Sequence, residues 1–170
     1  LITMDSDKAH SPEYLCKFIE LSDRFSVIVG SRFHNKKSLD GWNNWRRFLT
    51  YTSHFLTRLF LGMEYDATGA YRAYRLDQIP QGLFSLIRKN DYAFFFESLK
   101  VLDMNGTPIG EHPIHLPVRT YGNSKMRFRD IISGIQCLIA QALRARFRKD
   151  TMILVGQQCI NSHIFSVWTF

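Results

Sequence analysis

The run RFSVIVGSRF, residues 24–33, constrains the fold more than any other stretch. Its β-branched and apolar centre, Phe25 to Val29, stops at Gly30-Ser31-Arg32, the pattern of a buried strand released into a loop. Helical spacing surrounds it. After Pro12, residues Tyr14, Leu15, Phe18, Ile19 and Leu21 follow a helical period, and Pro12 suits a helix start. Between Trp42 and Met63, apolar residues at Trp45, Phe48, Leu49, Phe55, Leu56, Leu59 and Phe60 predict a long amphipathic helix. Further helices are expected near Leu83–Arg88, Tyr92–Leu102 and Ile131–Arg148, and extended chain at "IGEHPIHLPVR". Such alternation indicates an α/β or α+β fold.

At 170 residues the chain forms one domain with room for a sizeable core. Its formal net charge of +7 points to an anionic partner: phosphate, nucleotide, nucleic acid or a membrane face. The 3 cysteines, Cys16, Cys137 and Cys159, show no CxxC spacing, which disfavours a disulfide scaffold or a zinc site. No apolar run approaches the roughly 20 residues of a membrane span.

The opening stretch "LITMDSDKAHSP" places Asp5 and Asp7 two residues apart at the end of a strand pattern. On extended backbone they point the same way and repel, which calls for a cation between them. The competing reading is an acidic turn in which one of them caps the helix near Ser11-Pro12. A phosphatase of the HAD type is excluded, because Lys8-Ala9-His10 stands where that chemistry needs a threonine.

Arg32 ends the buried strand, and ligands gather at carboxyl ends of strands in open α/β sheets. It competes with a plain salt bridge to a nearby acid. Arg46 and Arg47 occupy the first turn of the long helix, an end that favours anions, so a bound anion would account for them. Arg119 to Lys125, "RTYGNSK", has the parts of an anion-binding loop, although the same residues make ordinary turns. Glu97, in "YAFFFES", reads either as a substrate contact or as a core-edge acid paired with an arginine. His112 and His115 face opposite sides of an extended segment and make a poor metal pair; among the histidines only His10 stays a functional candidate. The basic end "RARFRK", Arg144 to Lys149, suits either a helix-dipole complement or an anionic bilayer.

In order, "MDSDKAHSP", "VGSRF", "GWNNWRRFLT", "DATGAYRAYR", "YAFFFE", "IGEHPI" and "RTYGNSK" resemble the dolichol-phosphate mannose synthase group of glycosyltransferase family 2. The resemblance implies the C-terminal portion of a GT-A (Rossmann-like) domain, a mixed sheet flanked by helices, over residues 1–149. It leaves 150–170 as an unassigned tail. Relatives carry strands and helices ahead of the DxD motif, so a fragment that is inactive in isolation is expected.

By that resemblance, Asp5 and Asp7 hold Mg²⁺ or Mn²⁺ against the diphosphate of a nucleotide sugar, GDP-mannose. Arg32, Arg46, Arg119, Ser124 and Lys125 match positions that meet the acceptor phosphate or form its mobile loop, with Arg47 adjacent. Asp66, Thr68, Gly69, Arg72 and Glu97 match sugar- and acceptor-side positions. Asp7, Arg119 and Lys125 are the expected catalytic residues. Ala9 departs from relatives that place a polar side chain near the metal. The implied reaction is inverting transfer of a hexose, mannose first and glucose as the alternative, to a polyprenyl phosphate. The implied location is the cytoplasmic face of a membrane, peripherally or through segments beyond this sequence. A basic nucleic-acid-binding domain is the reading from another class. Its cations cluster near strand ends without forming a stripe interleaved with aromatics, so nucleic acid is not the expected partner.

Overall fold

A computed structural model describes residues 1–5, 9–35, 37–89, 93–117, 128–147 and 152–153, with backbone alone at 128–131. Its strands are β1 (Ile2–Thr3), β2 (Val27–Ser31), β3 (Arg72–Tyr74) and β4 (Ile109–Pro113), and its helices are α1 (Tyr14–Leu21), α2 (Asn44–Leu61), α3 (Gln81–Ser85), α4 (Phe94–Met104) and α5 (Phe128–Phe147). The strands form one mixed sheet of order β1-β3-β2-β4. β3 runs antiparallel to β1 and β2, whereas β2 and β4 are parallel, with Ile28 opposite Gly110. This is the α/β fold expected from the sequence, consistent with part of a GT-A domain.

Alternation along β2 divides the core. Val27 and Val29 face a cluster built from α3, α4 and the end of α2, including Leu61, Leu83, Leu99 and Leu102. Ile28 faces the other side, with Phe18 of α1, Leu39, Trp42 and Ile114. A strand buried on both faces needs apolar residues at every position, and VIV supplies them. Where β2 meets β4, the Phe25 ring lies where any Cβ at Gly110 would come within 2.5 Å of it, so only glycine fits.

Helix α2 starts where the Asn43 side chain accepts from Trp45 N–H at 2.8 Å and stops at Gly62, whose φ of 64° closes the last turn. Its apolar stripe faces away from the core. Only Thr57 and Leu61 are buried, while Trp45, Phe48, Phe55, Leu59 and Phe60 are exposed. Helix α5 packs beside α2 and likewise exposes Ile132, Ile135, Ile139, Leu143 and Phe147.

Candidate active site

Because β3 opposes its neighbours in direction, the carboxyl ends of β1, β2 and β4 and the amino end of β3 share one rim. Asp5 follows β1, Arg32 follows β2, and Arg72 opens β3. The connection from α2 to β3 brings Asp66, Thr68 and Gly69 to the same edge.

Arg32 is fixed there. Its Nε and Nη2 donate to the two Asp66 carboxylate oxygens at 2.7 and 2.6 Å, and Nη2 also donates to Thr68 Oγ1 at 2.6 Å. Its backbone N–H donates to Asp66 Oδ2 at 3.0 Å. Asp66 is fully buried. Burial pushes its pKa up, but the charge and hydrogen bonds of Arg32, helped by Arg72, outweigh that and hold the carboxyl below its ordinary value. Glu111 on β4 completes the set: Oε1 accepts Asp66 N–H at 2.6 Å and Oε2 meets His34 Nε2 at 2.7 Å. Glu111 lies within "IGEHPI", one of the segments that carry the resemblance, but was given no role there; its place on a strand bordering Arg32 was the available signal.

Arg72 is also fully buried, its guanidinium donating to the carbonyl oxygens of Phe95 (2.6 Å) and Ala67 (2.8 Å). It ties the Asp66 loop to α4. Glu97 is buried as well: Oε1 accepts from Arg144 Nη1 at 2.7 Å, and Oε2 accepts from the backbone N–H groups of Arg88 and Lys89 at 3.1 and 2.9 Å. Its position matches the core-edge reading, with Arg144 as the arginine. Arg144, read beforehand as part of a basic helix end, reaches across from α5 to make this pair.

Asp5 is exposed at the edge of an open cleft of about 760 Å³ shared with Met4, His10, Tyr14 and His115. His10 is buried, stacked on Tyr71 at 4.6 Å between ring centroids, and its Nδ1 accepts the Asp5 backbone N–H at 2.9 Å. Among the described residues no side chain pairs with the Asp5 carboxylate. An exposed carboxylate beside an open cleft fits a ligand for a hard divalent cation. No described group of three His, Cys, Asp or Glu side chains forms a complete cation site. Asp7, Arg119, Ser124 and Lys125 lie outside the described residues. Arg46 sits over the Trp42 ring, 3.6 Å from its centroid, at the start of α2.

The mixed sheet with helices packed against it is an α/β arrangement consistent with part of a GT-A glycosyltransferase domain. No model of a known protein family matches the chain. It is 30% identical over 127 residues to an undecaprenyl-phosphate mannosyltransferase of Micrococcus luteus, an alignment covering 74% of this chain and 52% of that protein. It is 30% identical over 149 residues to a polyprenol monophosphomannose synthase of Mycolicibacterium smegmatis, covering 86% of this chain and 56% of that one. These homologues bear out the resemblance to the dolichol-phosphate mannose synthase group. The chain spans about half the length of the curated relatives it matches.

Proposed function

We propose that the protein carrying this chain is an inverting glycosyltransferase that moves mannose from GDP-mannose onto a polyprenyl phosphate at the cytoplasmic face of a membrane. The observation that supports this most is the shared rim. It sets the exposed carboxylate of Asp5 and the fixed guanidinium of Arg32 on one edge, in a chain whose relatives are named for polyprenyl-phosphate mannose chemistry.

The acceptor phosphate is already anionic at neutral pH, so its attack needs no strong general base. One of its oxygens bonds to the anomeric carbon opposite the diphosphate, the bond from that carbon to the diphosphate oxygen breaks, and its electron pair leaves with GDP. One such displacement inverts the configuration. Asp5 and Asp7 would hold Mg²⁺ or Mn²⁺, which when bound neutralises the charge gathering on the departing diphosphate. Arg32 is oriented by Asp66 and Thr68 before substrate arrives, so it needs no reorganisation to stabilise charge. Arg46, with Arg119, Ser124 and Lys125, offsets the repulsion between an anionic nucleophile and an anionic donor.

The outward face of α2 and α5 supports a membrane partner. Phe55 and Leu59 are 61% and 63% exposed and Phe147 is 72% exposed, with Arg46, Arg47, Arg58 and Arg146 on the same two helices. Aromatic and aliphatic side chains bordered by cations suit the boundary of an anionic bilayer. Among the described residues no helix is long and apolar enough to cross one.

The test is transfer of labelled mannose from GDP-mannose to polyprenyl phosphate with Mn²⁺, in a protein of the relatives' length, comparing wild type with Asp7→Asn. Lipid-linked mannose formed by wild type and lost in the variant is the expected result. Transfer from UDP-glucose alone would replace the sugar and keep the mechanism. No lipid-linked product from any common nucleotide sugar would overturn the reading.

A further inference from the structure

Glu111 stands where β4 borders β2, opposite Val29. Its side chain is only 14% exposed, and a carboxylate withdrawn from water is costly unless its oxygens find donors. They find them on the two segments that flank Arg32. Oε1 accepts the Asp66 backbone N–H at 2.6 Å, and Oε2 meets His34 Nε2 at 2.7 Å. Asp66 is the acid that holds the Arg32 guanidinium through both oxygens, and His34 lies two residues beyond Arg32 on the chain leaving β2. One side chain from a third segment therefore ties the loop of the arginine to the loop of its counter-acid. A residue needed only to satisfy the Asp66 N–H would use one acceptor oxygen and make no link to the Arg32 loop. Arg32 has 8% of its surface open, so it can meet an anion only over a narrow range of directions.

We propose that Glu111 is a positioning residue for the acceptor phosphate: acting through Asp66 and His34, it sets the direction in which Arg32 meets that phosphate. The pairing of Arg32 with Asp66 is bidentate, so the guanidinium plane follows the carboxylate wherever the Asp66 backbone carries it. Both Glu111 oxygens are engaged within the protein, and their charge repels an anion, so the effect reaches the phosphate through the guanidinium. This inference rests on the acceptor reading above.

The experiment is a double-mutant cycle in a protein of the relatives' length, with farnesyl phosphate as a soluble acceptor probe. Glu111→Ala removes both ties, and Glu111→Gln keeps an acceptor for the Asp66 N–H. Arg32→Lys keeps a charge against Asp66 but lacks the planar fork that Glu111 directs. Binding of farnesyl phosphate is measured by calorimetry without donor, alongside the KM values for lipid and nucleotide sugar and the melting temperature. Affinity should fall about tenfold in Glu111→Ala and no more than about threefold in Glu111→Gln. The lipid KM should rise in parallel while the donor KM holds. Beside Arg32→Lys, the further change Glu111→Ala should leave affinity where it was, because the group it orients is gone. Should Glu111→Ala not fold, His34→Ala, at a half-exposed side chain, takes its place in the cycle, with a loss of about threefold that likewise vanishes beside Arg32→Lys.

Unchanged affinity in the Glu111 and His34 variants, or the same loss with and without Arg32→Lys, would overturn the role of Glu111 and leave the acceptor reading standing. So would donor and lipid KM rising together in step with the loss of melting temperature. The expected coupling in a protein that transfers no sugar would uphold Glu111 and overturn the reaction. A wild type that does not bind the probe would overturn both.

Discussion

At Asp66 a single carboxylate serves both stability and the orientation of the rim. It binds the Arg32 guanidinium through both oxygens while itself shut away from water. Removing one partner of such a pair leaves the other charge buried, a loss of about 3–5 kcal/mol. Asp66→Ala should show that loss in urea unfolding and should abolish transfer; a change below about 1 kcal/mol would mean Arg32 finds another counter-charge. His54 gives the residue-scale pH dependence. It lies half-buried against Phe33 with a centroid separation of 3.8 Å, and burial lowers its pKa from 6.5, only partly opposed by Asp66 and Glu111. Since the unfolded chain takes up the proton first, the neutral ring's contribution is intact above pH 6.5 and is lost as pH falls through the lowered value. His112 shifts in the same direction, also by burial. The urea midpoint should therefore drop between pH 7 and pH 5. His54→Gln should make that slope shallower, and an unchanged slope would assign the loss to other groups.

Among the elements, α5 carries a buried polar anchor to the core. Arg144 reaches Glu97, which also gathers two backbone amides from the connection before α4. Single replacement of Glu97 by Ala should cost about 3 kcal/mol, whereas the pair Glu97→Leu with Arg144→Met should recover the part due to the stranded charge and not the part due to the Arg88 and Lys89 amides. Transfer activity in the double variant separates the two readings of Glu97. Retained activity makes it an anchor; lost activity in a stable protein makes it a substrate contact. The outward faces of α2 and α5 carry the other prediction at this scale. Phe55→Gln with Leu59→Gln removes side chains that already face solvent, so stability should hardly change. Cosedimentation with vesicles rich in anionic lipid should fall by about tenfold or more, from the apolar area no longer buried in the bilayer. Unaltered partitioning would remove this face from the membrane contact.

Across the whole molecule, one topological choice assembles the site. Inserting β3 antiparallel between β1 and β2 turns the end following β1 and the end following β2 toward the same edge, although Asp5 and Arg32 are 27 positions apart in the sequence. The net charge of +7 would favour an anionic ligand at that edge, as the proposed function requires. Much of this was legible beforehand. The VIV run needed two covered faces, and the apolar spacing after Pro12 and between Trp42 and Met63 marked α1 and α2, whereas the caps at Asn43 and Gly62 emerged only in the structure. These are local rules of period and capping, which depend on neighbours in sequence.

What each side chain touches was not legible, because that depends on distance through space. Periodicity marked the α2 stripe as apolar but carried no information on whether it faces the core; the core is filled by α3, α4 and the end of α2, and most of the stripe stays outside. The sequence offered Arg32 an anion or an acid, and only the α2–β3 connection brought Asp66 to within 2.6 Å of it. Arg144 looked like the end of a helix dipole until α5 crossed over Glu97. The sequence by itself determined the elements, their order and the residue types available for phosphate and metal chemistry, since short-range backbone preference and apolar period encode those. The tertiary structure alone decided partners and exposure, since burial and charge pairing belong to residues far apart in the chain.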